Sequence, residues 1–261
     1  MSRRPAPLAR LVAVALAAST LACAGFGGGA DADTRKRQAR AHYNIGADYI
    51  QKGHLELGLR ELLIAERFDP RDAEIQDLLG ITYYQKGKVA EGEGHLRRAI
   101  ELSPDSHEAR FNLAVLLLRQ ERWAECIEQS ARLIDDPTFV APWRALSNRG
   151  WCEYKSGKVA EGRRLLELAR DYESKDSTTL LNLAILEADQ GNRRQAIALF
   201  EQVLSLQPGS SLESEVNYRL GEQYAALGER ERAVGHLTAA LTKMPGGPWG
   251  KKSEESLRRL R

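Results

Sequence analysis

Three cysteines, five histidines and scattered carboxylates are the side chains able to do chemistry here, and their spacing argues against a reaction centre. His42, His54, His95, His107 and His236 show no metal-ligand spacing and have no partner cysteines, so no metal is expected. Carboxylate pairs such as Glu91 and Glu93 sit on outward helix faces and read as solvated charge. No glycine-rich loop follows a strand to cradle a phosphate. No serine or cysteine has a paired base at a predictable distance. The sequence therefore implies no cofactor and no small-molecule substrate, and an enzyme is not expected. What is left is thiol chemistry: Cys23 near the N-terminus, and Cys126 with Cys152 further on.

The elements that hold these residues follow one template, seen in Ala73 to Ser106 as two short helices and a turn. Copies begin near Ala39, Ala73, His107, Trp143, Ser177 and Ser214. Position 8 holds Gly46, Gly80, Ala114, Gly150, Ala184 and Gly221, and position 20 holds Gly58, Gly92, Cys126, Gly162, Ala196 and Ala233. Small residues belong there because the paired helices touch at those points. Pro70, Pro104, Pro208 and Pro245 close four copies, while Pro137 stands one place early in the third. Apolar residues recur at three and four, never at two, so nothing reads as a strand. A period of about 34 with this order of residues resembles the tetratricopeptide repeat.

That resemblance implies an all-α fold, a right-handed superhelical solenoid of six repeats with a concave face. The repeats span 39–72, 73–106, 107–142, 143–176, 177–213 and 214–245. Extra residues around Thr138 to Pro142 and Ser211 to Glu213 fall at joins between repeats, where the stack is expected to bend differently. Residues 246–261 form a glycine-proline break and then a short polar capping helix from Lys251.

The N-terminus differs. Arg3, Arg4 and Arg10 precede the apolar run Leu11 to Ala22, which is shorter than a comfortable bilayer span. Ser19-Thr20-Leu21-Ala22-Cys23 resembles a bacterial lipobox, with Thr20 where leucine is usual. This implies a signal peptide over 1–22, a lipidated Cys23, and a flexible glycine-rich tether over 23–38. Such a coil reaches roughly 20 Å. Ala24 after the lipidated position, where aspartate would mark the inner membrane, points to the outer membrane, with the chain facing the periplasm. Losing the three signal arginines leaves 35 basic against 36 acidic residues, so charge gives no argument for nucleic acid.

Cys126 then lies on the second helix of repeat three and Cys152 on the first helix of repeat four, neighbours in such a stack. In an oxidising compartment this even pair is read as a disulfide, the other reading being two buried thiols that act as small hydrophobes.

Function is expected in the concave face, lined by first-helix positions 2, 5, 9, 12 and 13. Its candidate residues are Tyr43, Ala47 and Ile50, then Ile81 and Tyr84, then Phe111, Val115 and Leu118. Trp151, Tyr154, Leu181 and Ile185 extend it through repeats four and five. Position 9 is usually polar, yet it is Ala47, Ile81, Val115, Trp151 and Ile185 before turning to Glu222. The strip reads as a groove for an apolar or amphipathic segment of another protein, or else as side chains that cover one another. Basic pairs that clamp a peptide's terminal carboxylates are absent. Asn44, Asn112, Asn148 and Asn182 at position 6 suit a bound segment's backbone.

A lipobox, a short tether and six such repeats together resemble the type IV pilus pilotins, the Tgl/PilF/PilW family. Two cysteines on adjacent helices of repeats three and four are similar to a feature of that family. The resemblance implies an outer-membrane lipoprotein that promotes insertion and multimerisation of the secretin PilQ. A general envelope adaptor for cell-wall enzymes or assembly factors is the alternative.

Overall fold

The computed structural model describes residues 27–260, and Cys23 with its lipobox lies outside them. Among the described residues there are helices and no strand, and the chain divides after Leu102 into two compact units.

The first unit holds α1 (Gly27–Gln51), α2 (Leu55–Phe68), α3 (Ala73–Gln85) and α4 (Val89–Leu102), which pair as repeats one and two. Its core is Ala39, Leu59, Leu62, Ala65, Ile75 and Leu79, with Tyr43, Ile50 and Phe68 against it. The Asp72 carboxylate accepts from the Glu74 and Ile75 amides and so starts α3. One expectation fails here: residues 27–38, read as coil, are helical. The repeat's first helix propagates backwards through DADTRKRQ, where Arg35 pairs with Asp31 one turn away at 3.3 Å.

The helix crossings are tight where glycine pairs with glycine. A Cβ on Gly92 would stand 2.8 Å from the Gly80 carbonyl oxygen and 3.1 Å from the Tyr84 amide nitrogen, both backbone atoms that cannot turn aside.

The second unit carries repeats three to six: α5 (His107–Arg119) with α6 (Trp123–Ile134), α7 (Pro142–Lys155) with α8 (Val159–Tyr172), α9 (Ser177–Asp189) with α10 (Arg193–Ser205), and α11 (Ser210–Ala226) with α12 (Arg230–Lys243). A last helix, α13 (Pro248–Arg259), packs on α11 and α12 and begins three residues before the expected Lys251. Phe200, fully buried, sits in a core of Leu180, Leu183, Leu186, Val216 and Leu220. Residues 211–213, expected at a join, instead lengthen α11 at its start. The insertion around 138–142 is pinned. Phe139 is buried with Leu133, Ala141 and Ala145, and Asp136 accepts from the Thr138 hydroxyl at 2.6 Å and from His107 Nε2 at 2.8 Å. Those bonds, the hydroxyl's first, hold the Asp136 carboxyl down at about 2.

Within each repeat the turn at template position 15 takes a positive φ. Glycine supplies it at Gly53, Gly87, Gly157, Gly191 and Gly228, but repeat three uses Glu121 at φ 59°. A left-handed conformation costs a residue with a Cβ about 1–2 kcal/mol, partly offset by glycine's greater freedom when unfolded. Glu121→Gly is therefore expected to stabilise the protein by about 0.5–1 kcal/mol in urea denaturation; a loss of stability would contradict this account of the turn.

Histidines meet polar partners nineteen residues away across the two helices of a repeat. His42 Nδ1 lies 2.8 Å from Glu61, His95 Nδ1 lies 2.7 Å from Gln76, and His236 Nδ1 lies 2.9 Å from Asn217. His95 also stacks on Tyr83 and His236 on Tyr224. Burial depresses the pKa of both His95 and His236. The unfolded chain then takes up these protons first, so their stabilisation is present above about pH 6.5 and is lost as pH falls through the folded values. The denaturation midpoint should fall between about pH 7.5 and about pH 5.5, and less so in a His95→Gln/His236→Gln variant. An unchanged slope in that variant would assign the dependence to other groups.

Candidate partner-binding face

The candidate residues all fall on the first helix of their repeats, yet packing divides them. In the first unit Tyr43, Ala47, Ile50, Ile81 and Tyr84 are half-buried. Ile50 turns towards α2, since a Cβ on Gly58 would stand 2.5 Å from its Cγ1. Tyr84 backs onto Gly92 in the same way. In the second unit Phe111, Val115, Leu118, Trp151 and Leu181 are half-buried, while Tyr154 and Ile185 are 9% and 7% exposed and belong to the core. Tyr154 Cβ would lie 2.7 Å from a Cβ on Gly162, and its hydroxyl donates to Asp189 Oδ2 at 2.5 Å. Burial, with that carboxylate, raises the Tyr154 pKa. Position 12 thus faces the second helix of its own repeat, and Ile50, Tyr84 and Tyr154 are packing residues there. The sequence carries the signal: glycine eight residues later marks a close crossing beneath them. Trp151 and Leu181 also lean partly on the core.

What remains open is a row of rings with cations laid over them, which reading apolar residues alone does not reveal. The Arg144 guanidinium lies 3.8 Å above the Phe111 ring, and Lys155 Nζ lies 4.8 Å from the Trp151 ring. At the far end Trp249 has Arg219 at 4.9 Å and Lys252 at 4.4 Å, beside Tyr218 at 5.3 Å. In the first unit Arg40 covers Tyr43 at 4.8 Å but is tied to Glu74 at 2.5 Å, which raises its pKa. Arg144 has a looser partner, Glu108 at 3.8 Å. Glu222, where the position 9 run turns polar, accepts from Ser256 of α13 at 2.8 Å, so its charge serves the cap.

The asparagines also part company. Asn182 donates to Ser147 at 3.4 Å. Asn148 is 7% exposed, and its Nδ2 has no hydrogen-bond partner. Among the described residues no cluster of histidine, cysteine and acidic side chains could hold a metal ion. The buried Glu153 and Glu187 are answered by Lys158 at 2.9 Å and by Arg163, respectively. Cys126 and Cys152 are joined in a disulfide between α6 and α7, their Cα atoms 6.6 Å apart.

A tetratricopeptide-repeat family model matches residues 43–107, 78–137 and 181–248. The type IV pilus assembly protein PilF of Pseudomonas aeruginosa is homologous, 31% identical over 153 residues. That alignment spans 56% of this chain and 59% of the relative. The crystal structure of PilW, described as a widely conserved type IV pilus biogenesis factor, superposes with a TM-score of 0.71 at 18% identity, covering 82% of this chain and 97% of that one. A structure of Pseudomonas aeruginosa PilF gives 0.66 at 16% identity, covering 85% and 99%. At such identities the structural likeness speaks for the fold.

Proposed function

Because the chain belongs to the tetratricopeptide-repeat family, we propose that it works by holding another protein, as a pilotin for the PilQ secretin of a type IV pilus. The observation that carries this reading is the homology to PilF, a type IV pilus assembly protein, over 153 residues. The cation-topped aromatic face on α5 and α7 supports it, since it offers apolar surface that a partner segment can cover. In this reading Cys23 carries the lipid that anchors the chain to the outer membrane. The repeats face the periplasm and shield an apolar segment of the secretin monomer until neighbouring subunits replace it. The chain supplies a surface and no chemistry.

A photoreactive residue at Val115 tests the contact in living cells. Illumination should crosslink the chain to secretin monomer, and a matched probe at the exposed Glu91 should not. Equal crosslinking from both sites, or none from Val115, would overturn the assignment. The alternative, a general envelope adaptor, would give crosslinks from Val115 to proteins other than the secretin.

A further inference from the structure

The geometry on α7 points to the kind of segment this face takes. Resting on the scaffold reading above, we propose that α5 and α7 dock an acidic, apolar peptide segment of the partner, seated on Arg144, Asn148, Trp151 and Lys155 with Phe111 and Val115 beside them.

Arg144, Asn148, Trp151 and Lys155 recur at four, three and four residues, which places them in one row along α7. At either end of the row a cation covers an aromatic ring, Arg144 over Phe111 and Lys155 over Trp151. A carboxylate on an incoming segment draws each cation off its ring, and the uncovered ring then meets the segment's apolar side chains. Charge and apolar area are therefore used together, and a neutral apolar peptide would have to displace Lys155 without offering it a charge and leave Arg144 with only Glu108, 3.8 Å away.

Asn148 supplies the second, independent observation. Its amide nitrogen is buried and without an acceptor in the middle of the row. A buried unpaired donor is destabilising in the free protein. A bound segment's backbone carbonyl completes it, and the same amide then fixes the segment's register. The first unit offers no equivalent, because Arg40 is already neutralised by Glu74 and Asn44 is exposed.

The test uses the mature full-length chain and two labelled synthetic peptides of equal length, one alternating glutamate with leucine and phenylalanine, the other with lysine in place of glutamate. By fluorescence anisotropy at low salt the acidic peptide should bind about tenfold or more tightly, an advantage that shrinks as salt rises. Arg144→Gln/Lys155→Gln should remove the preference. Asn148→Leu should weaken the acidic peptide about tenfold while leaving the protein at least as stable as before, which a merely structural asparagine would not do. Equal binding of both peptides, binding of neither, or an Asn148→Leu variant that keeps full affinity would overturn the proposal. Secretin crosslinking at Val115 separates the two ideas: if it persists while the peptides fail to discriminate, the scaffold reading stands and the charge preference falls.

Discussion

Replacing both Cys126 and Cys152 with alanine is expected to lower the free energy of unfolding by about 3.5 kcal/mol, as a disulfide closing a loop of this length constrains the unfolded chain. The sequence separation is 26 residues, and both side chains are fully buried, so alanine leaves no stranded hydroxyl. Template position 7 is a fully or almost fully buried leucine in repeats two, three, five and six, namely Leu79, Leu113, Leu183 and Leu220. In repeat four it is Arg149, which lies 3.7 Å from Glu153. Repeat four thus carries a charged residue where those four repeats carry a buried leucine, and the disulfide ties the same helix, α7, to α6 of repeat three. Urea denaturation of the variant and of the reduced wild type should agree. A loss below about 1 kcal/mol in both would show that the joint does not depend on the bond.

The largest functional effect is expected from Phe111→Ser/Val115→Ser. These side chains are half-buried on α5, and the Phe111 ring lies under Arg144. With the ring gone, a partner segment loses both its apolar seat and the ordered position of the cation. Heat-resistant secretin multimers should fall to the level of cells lacking the gene, with the helical circular dichroism signal retained. A control at Ala47, on the first unit, should matter less. Normal multimers in the α5 variant would remove this face from the account.

The repeat architecture was legible because a two-helix unit repeats its constraints: small residues at positions 8 and 20, proline at the close, apolar residues at helical spacing. The extent of α1 was not, since Asp31 to Gln38 carries no apolar stripe and is helical by continuation from the packed part of α1. The partner face was half legible. Phe111, Val115 and Trp151 stand out as apolar residues at first-helix positions, but Tyr154 and Ile185 share that pattern and are buried in the core. Register alone does not separate a residue that lines a surface from one that its neighbour covers. Arg144 and Lys155 belong to the face through the rings they cover, a contact that apolar spacing does not carry. Asn148 could be placed by position, whereas its lack of a partner is visible only once every neighbouring acceptor is located.

The most direct measurement is a gel of heat-resistant secretin multimers from cells with and without this gene. The multimers should disappear in its absence while secretin monomer is retained, and return when the gene is restored. Multimers of normal amount without the gene would contradict the pilotin role and leave the chain as an adaptor for some other envelope protein.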